Sequence, residues 1–340
     1  MRAPVLLRRL SSDIRRPLRA EPPAASAVAS APAAPGKLPE RRAPLAGYAL
    51  AALGAALFST KGVIIKLAYG EGIGTETLLA LRMGLAVPFY LAIGTLALRK
   101  RFVVGQPLPP RALVAKAALV GLLGYWFASY VDFLGLVYIS AQFERLILFT
   151  YPAFVVLFGA LFFSQPIRSG ILAGVAVSYA GLALIFATKL DALGPDVAKG
   201  AGLVLAAAIA FALYQLLAKG LIGALGPRLF TCIAMSAAAV AALVQFALTE
   251  PPSRLIVTPQ LFVYALFLAI GATVLPSFLL NAALHRISAQ ANATIGTLSP
   301  VVTILLAVAI LGETFGWVDA AGTALVLAGI GWFTLAERRR

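Results

Sequence analysis

Six ionisable side chains stand inside long apolar stretches of this 340-residue chain: Lys61, Lys66, Arg82, Asp132, Glu144 and Arg145. A charge at the centre of a lipid-embedded helix costs roughly 2.5–3.5 kcal/mol on insertion scales, so each needs a partner or a task. Lys61 and Arg82 lie deepest, about 12 and 10 Å from the outer ends of their runs at the helical rise. Together the six could line a charged, water-filled cleft, and four bases against two acids favour a solute bearing carboxylate or phosphate. The structural alternative is mutual pairing, with Asp132 and Glu144 neutralising Arg82 or Lys61 while Lys66 and Arg145 snorkel to the interface. Glu144 is also the acid best placed to carry a coupling proton.

Uncharged groups with the same double reading surround these. Trp126, Tyr130 and Phe133 recur at i, i+4 and i+7, an aromatic stripe on one face beside Ser129 and Asp132. Tyr214 and Gln215, Asn281, and Asn292 with Ser299 add amides and hydroxyls in later apolar runs. Such groups either bind a solute or glue helices together. The expected substrate-binding set is Lys61, Arg82, Trp126, Tyr130, Glu144, Tyr214, Gln215, Asn281, Asn292 and Ser299. Prolines inside the runs remove backbone hydrogen bonds, and Pro152 and Pro300 are the expected hinges.

Other chemistry is closed off by what the chain lacks. Cys232 and His285 are its only cysteine and histidine, so no disulfide and no Cys/His metal cluster is expected. Neither a phosphate-binding Gly-x4-Gly-Lys-Ser/Thr loop nor a Gly-x-Ser-x-Gly elbow occurs. No cofactor, metal or catalytic residue is expected. A membrane-embedded enzyme would have to be built around His285, and a channel is the other minor alternative.

Composition supplies the elements that hold these residues. The chain is 61% apolar and 12% charged, with mean hydropathy +0.93; soluble domains carry about 25% charged residues. The net charge of +15 is not read as a nucleic-acid signal, because nine basic residues sit in residues 1–43 and most others flank apolar runs. Residues 1–43, rich in Arg, Ala, Pro and Ser, are expected to be a disordered cytoplasmic tail. Ten apolar runs follow, near 45–69, 75–98, 113–137, 141–163, 168–188, 199–220, 229–249, 259–282, 291–312 and 316–336. Each is long enough for a transmembrane helix. With the N-terminus inside, only Lys189, Lys199 and Arg254 fall on the outer side, so both termini are expected in the cytoplasm.

The expected fold class is thus an all-α polytopic membrane protein of ten transmembrane helices, and the ten divide into two fives. Residues 124–187 align without a gap on 272–335, with Ile139-Ser140-Ala141-Gln142 against Ile287-Ser288-Ala289-Gln290, Pro152 against Pro300, Gly174 against Gly322 and Gly181 against Gly329. A looser match at offset 153 sets Phe58 on Phe211 and Lys66 on Lys219. Five spans per copy put the second copy upside down, giving two inverted five-helix repeats over 44–188 and 198–337. That construction lets one central site face either side of a membrane in turn. The glycines spaced by seven mark close packing, in a scaffold or a homodimer contact.

Leu57-Phe58-Ser59-Thr60-Lys61, Leu79-Ala80-Leu81-Arg82, the Ser-Ala…Pro segments opening spans four and nine, and Gly312-Glu313-Thr314 resemble the EamA-type transporters of the drug/metabolite transporter superfamily. The resemblance covers about residues 45–336. It departs at Ser164-Gln165, where the family's first repeat usually carries Gly-Glu. It implies a ten-helix secondary carrier, often exporting amino acids or other small metabolites through a cavity between the halves. The chain is therefore expected in the plasma (inner) membrane, with a small-molecule substrate and lipid as its partners. The alternative within the superfamily is exchange of phosphorylated or nucleotide-linked metabolites.

Overall fold

In lipid a backbone finds no water, so its polar groups have to be satisfied along the segment itself, which favours helices. The computed structural model describes residues 43–163, 169–193, 196–284, 286 and 298–338, and among these no strand occurs. The helical stretches run α1 Leu45–Gly70, α2 Thr75–Val103, α3 Arg111–Tyr138, α4 Ala141–Phe162, α5 Ser169–Leu193, α6 Asp196–Leu225, α7 Pro227–Thr249, α8 Pro259–Leu280, α9 Leu298–Leu311 and α10 Trp317–Arg338. Seven of these, α1–α4 and α6–α8, are long and apolar enough to cross a membrane. The other three contain the shorter apolar helices Leu172–Ile185, Ser299–Leu311 and Trp317–Gly329. The chain is a multi-pass membrane protein. The tail, Ser164-Gln165, His285, the Ile287–Gln290 block and Asn292 lie outside the described residues, as does the Asn281 side chain.

Local sequence sets the boundaries. Gly226 at φ +79° turns the chain between α6 and α7, and Pro227 then occupies the first position of α7, where its missing N–H costs nothing. The Ser140 hydroxyl accepts from the Phe143 amide at 3.2 Å and caps α4. Thr258 does the same for α8, accepting from Leu261 at 3.3 Å.

Four stretches are interrupted inside. α1 breaks at Thr60, immediately before Lys61. α4 breaks at Phe149–Thr150, just ahead of Pro152, which has no N–H to give to the Leu148 carbonyl. α3 and α8 each widen into a π turn, Leu122–Phe127 and Ile270–Val274. Those two turns occupy matched positions at the repeat offset of 148. Pro276 follows the second turn, but its counterpart after the first is Ala128. The widening therefore does not depend on a proline.

The first five stretches pack against the last five along their lengths. α1 lies against α8 and α9, α2 against α7 and α8, α3 against α6 and α7, α4 against α6 and α9, and α5 against α10. The largest apolar core, including Ile65, Met83, Tyr90, Phe133, Met235 and Leu268, sits between α1, α2, α3, α7 and α8. Close approach needs small residues: a Cβ on Gly124 would overlap the Tyr214 ring, and one on Gly121 the backbone of Ala234. The glycines of α5 and α10 face one another. A Cβ on Gly329 would collide with the Ser178 amide nitrogen, and one on Gly181 would lie 2.5 Å from the Gly322 carbonyl oxygen. That small-residue face is filled by contact within one chain.

Candidate functional site

The break at Thr60 starts a new helical turn with Lys61 pointing between α3 and α4. Its ammonium donates to Asp132 Oδ2 at 2.5 Å and stands 3.9 Å from Glu144 Oε1. Arg145 Nε lies 3.7 Å from Glu144 Oε2. All four groups are buried, Glu144 and Arg145 completely. Both cations also sit over the Phe58 ring, 5.2 and 5.4 Å from its centroid. Hydrogen bonding is incomplete: Arg145 Nε and Nη1 have no partner, and the Asp132 and Glu144 carboxyl groups lie within hydrogen-bonding reach of one another. Two acids and two bases thus balance one another mainly through charge, in surroundings where charge interactions are strong. The sequence allowed either an open charged cleft or mutual ion pairs, and for these four residues the structure has the pairs.

Arg82 stands apart from that quartet. Its guanidinium stacks over Phe133, 5.2 Å from the ring centroid and next in sequence to Asp132. Its Nε donates to Thr273 Oγ1 at 2.7 Å, and the Thr273 hydroxyl donates onward to the Leu268 carbonyl at 2.8 Å. Thr273 belongs to the π turn of α8, whose wide loop brings a residue i to the carbonyl of i−5. Arg82 Nη1 is buried and has no hydrogen-bond partner. Nearby, the Tyr90 and Ser277 hydroxyls are 3.0 Å apart. Ser277 donates to the Val274 carbonyl at 2.8 Å, so the proton between the two hydroxyls comes from Tyr90.

The remaining expected residues separate into three places. Ser299 joins the centre: its hydroxyl is 2.7 Å from that of Ser59, and Thr303 donates to the Ser59 carbonyl at 2.8 Å, tying α9 to α1 beside Lys61. Trp126 and Tyr130 lie toward the C-terminal end of α7 and the N-terminal end of α2, donating to Gln245 at 2.7 Å and Glu76 at 3.0 Å. Their stripe does not act as one face, since Phe133 is wholly buried beneath Arg82. Tyr214 packs among Tyr125, Phe211 and Phe230 and donates to the Tyr125 hydroxyl at 2.8 Å. Gln215 lies against the Tyr151 hydroxyl.

Three residues outside the expected set matter here. Asp132 and Arg145 complete the quartet. Glu313 was legible only as part of the Gly312-Glu313-Thr314 stretch. Gly312 at φ +64° ends α9 and turns the chain so that the Glu313 carboxylate accepts from the Ala141 and Gln142 amides, at 2.7 and 3.2 Å. A carboxylate from α9's end thus caps the first turn of α4, satisfying two amides that have no partner within the helix. Lys66, near the same carboxylate, donates to the Leu136 carbonyl at 3.1 Å. Among the described residues no group of three or more His, Cys, Asp or Glu could hold a metal. The cavity lined by Ser140, Gln142, Phe143, Leu146, Ile185, Asp319 and Thr323 holds about 10 Å³, room for one water at most.

Comparison with known proteins bears on this arrangement. The profile of the EamA-like transporter family matches residues 45–187 and again residues 198–335. A protein of Bacillus subtilis (strain 168) described as the uncharacterized transporter YcbK is 29% identical over 291 residues, spanning 82% of this chain and 89% of its own. A crystal structure described only as that of a protein superposes with TM-score 0.59 at 19% identity, over 87% of this chain and 98% of its own. The last likeness shows a shared fold alone.

Proposed function

The chain belongs to the EamA-like transporter family, and from that premise we propose that it is a secondary carrier exporting or exchanging small polar metabolites, such as amino acids, by alternating access. Membership and the transporter-named relative point away from an enzyme. The observation that carries the proposal is the reciprocity of the contacts between the two halves. Exchanging the halves maps α1·α8 onto α6·α3, α1·α9 onto α6·α4, and α2·α8 onto α7·α3, while α2·α7, α4·α9 and α5·α10 map onto themselves. The π turns at matched positions of α3 and α8 obey the same exchange. Both features support two inverted five-helix repeats, 44–188 and 198–337, forming ten spans. In such a pair each half can adopt the other's conformation, which turns a central site from one side to the other.

In this reading the central site contains Lys61, Arg82, Glu144 and Ser299, with Asn281 and Asn292 contributed by the second repeat. Trp126 and Tyr130 line the outer approach, while Tyr214 holds the α3–α6 contact and Gln215 the α4–α6 contact against which the site is built. Pro152 and Pro300 serve as the hinges. The protein resides in the plasma (inner) membrane with both termini, including the basic tail 1–43, in the cytoplasm, as the charge asymmetry of its connections favours. Exchange of phosphorylated solutes has less support, because the buried groups described here carry a single excess positive charge. The test is counterflow: proteoliposomes loaded with unlabelled amino acids or small organic acids should accumulate the labelled solute transiently and saturably. Absence of counterflow across the panel, or single-channel conductance in a planar bilayer, refutes a carrier.

A further inference from the structure

Buried charge has to be balanced, and the balance can be followed group by group. Lys61 and Arg145 are matched by Asp132 and Glu144 within 2.5 to 3.9 Å. Arg82 is equally buried, at 3% exposure, yet among the described residues no carboxylate stands within 4.0 Å of it. Asp132 is an acidic group within electrostatic range of it and is already bonded to Lys61. Residues 285 and 287–297, outside the described residues, contain no Asp or Glu. An uncompensated guanidinium inside a membrane protein is costly to maintain, and removing it from water leaves five N–H donors to satisfy.

The donors that remain open share one chemistry. Nε is used on Thr273, whereas Nη1 is buried and unpartnered. The Tyr125 hydroxyl, within electrostatic range of the guanidinium, accepts its hydrogen bond from Tyr214 and so keeps its own proton to give. A guanidinium N–H and a phenol O–H within electrostatic range of one another are two donors of the kind an oxyanion takes. Phe133 beneath the guanidinium and the Tyr90–Phe278 pair, with ring centroids 5.7 Å apart, supply apolar walls.

We infer that Arg82, assisted by the Tyr125 hydroxyl, anchors the carboxylate of the transported solute, while the Lys61–Asp132–Glu144–Arg145 quartet, already neutral, does not. This rests on the carrier reading given above. It assigns the solute's charge: one anionic group per molecule. It also couples binding to conformation, since Arg82 belongs to the first half and its Nε partner Thr273 to the second.

The experiment uses the full-length protein in detergent with matched pairs of carboxylates and their amides: alanine and alaninamide, phenylalanine and phenylalaninamide, benzoate and benzamide. Thermal unfolding is followed against ligand concentration, because a ligand that binds only the folded state raises its stability with concentration. A carboxylate is expected to raise the unfolding temperature while its amide binds at least tenfold more weakly. Arg82→Gln should weaken the carboxylate at least tenfold and leave the amide unchanged, and Arg82→Lys should restore part of the difference. Tyr125→Phe keeps the packed ring and removes one donor, so a severalfold loss confined to carboxylates is expected even if Arg82→Gln does not fold. Equal binding of acid and amide, an unaltered carboxylate affinity in Arg82→Gln or Tyr125→Phe, or no stabilisation by any carboxylate would overturn the assignment. Counterflow of the same pairs separates the two readings: transported amides leave the carrier standing and remove the carboxylate anchor, whereas no counterflow at all removes the carrier.

Discussion

Replacing Asp132 by Asn while leaving Lys61 in place converts a balanced quartet into two cations sharing one acid. The lost pair is short, 2.5 Å, and both partners are buried. With an effective dielectric constant of 20, unit charges at that distance attract by about 7 kcal/mol, against about 4 kcal/mol for the remaining Lys61–Glu144 separation. Part of the loss is returned because an uncharged Asn is cheaper to bury than an ionised Asp. Removing one partner of a buried pair typically leaves a net cost of about 3–5 kcal/mol. The same reasoning makes the pair largely dispensable as a pair: Lys61→Met with Asp132→Asn removes both charges, nearly keeps volume and preserves neutrality in Glu144–Arg145. The double variant is therefore expected to recover most of the stability that Asp132→Asn loses, giving a coupling of about 3 kcal/mol between the two sites. Equilibrium unfolding of the wild type, Asp132→Asn, Lys61→Met and the double variant in a detergent–denaturant mixture measures it. If Asp132→Asn unfolds with the wild type, or the two losses simply add, charge balance is not what holds α1 to α3.

Other perturbations test other joints. Glu313→Ala removes the carboxylate that caps α4, so we expect about 1 kcal/mol of destabilisation by the usual worth of a cap. A cysteine placed at Ser140 in that background should react faster with a membrane-impermeant maleimide, and unchanged labelling would show that the cap does not close this end. Cys232 is the sole cysteine, 3% exposed and packed 3.2 Å from the position a Gly94 Cβ would take, so it should label only after unfolding. Gly329→Val drives a branched side chain into the α5 backbone at Ser178. Its expected effect is loss of folded protein in fluorescence-detected size exclusion, whereas a folded protein of altered oligomeric state would return that face to an interface between copies. Gly124→Ala, set against the Tyr214 ring, should lower the unfolding temperature more than Gly202→Ala, which meets open space.

Much of the architecture was legible because membranes constrain sequences severely. Helix existence follows from runs of about 20 apolar residues, and the family resemblance was carried by particular stretches, Leu57–Lys61, Leu79–Arg82 and Gly312–Thr314. The six intramembrane charges were equally visible, since each is an exception that a lipid-facing position does not tolerate. What the sequence left open was which charge meets which. Lys61 and Arg82 look alike along the chain, two deep cations in neighbouring runs. Only the packing of α1 against α3 and α4 neutralises the one, and only the widened turn of α8 gives the other a hydroxyl in place of a carboxylate. Tyr214 and Gln215 read as polar groups available to a solute until Gly124 made room for a ring there and Tyr151 took up the amide. The π turns had no signature in periodicity, because one extra residue in a turn shifts a helical face without changing its composition. Apolar length, charge placement and internal similarity are properties of the chain read one residue at a time. Pairing is a property of distance, and electrostatic energy inside a low-dielectric core depends on separations of a few ångströms that only the assembled helices define.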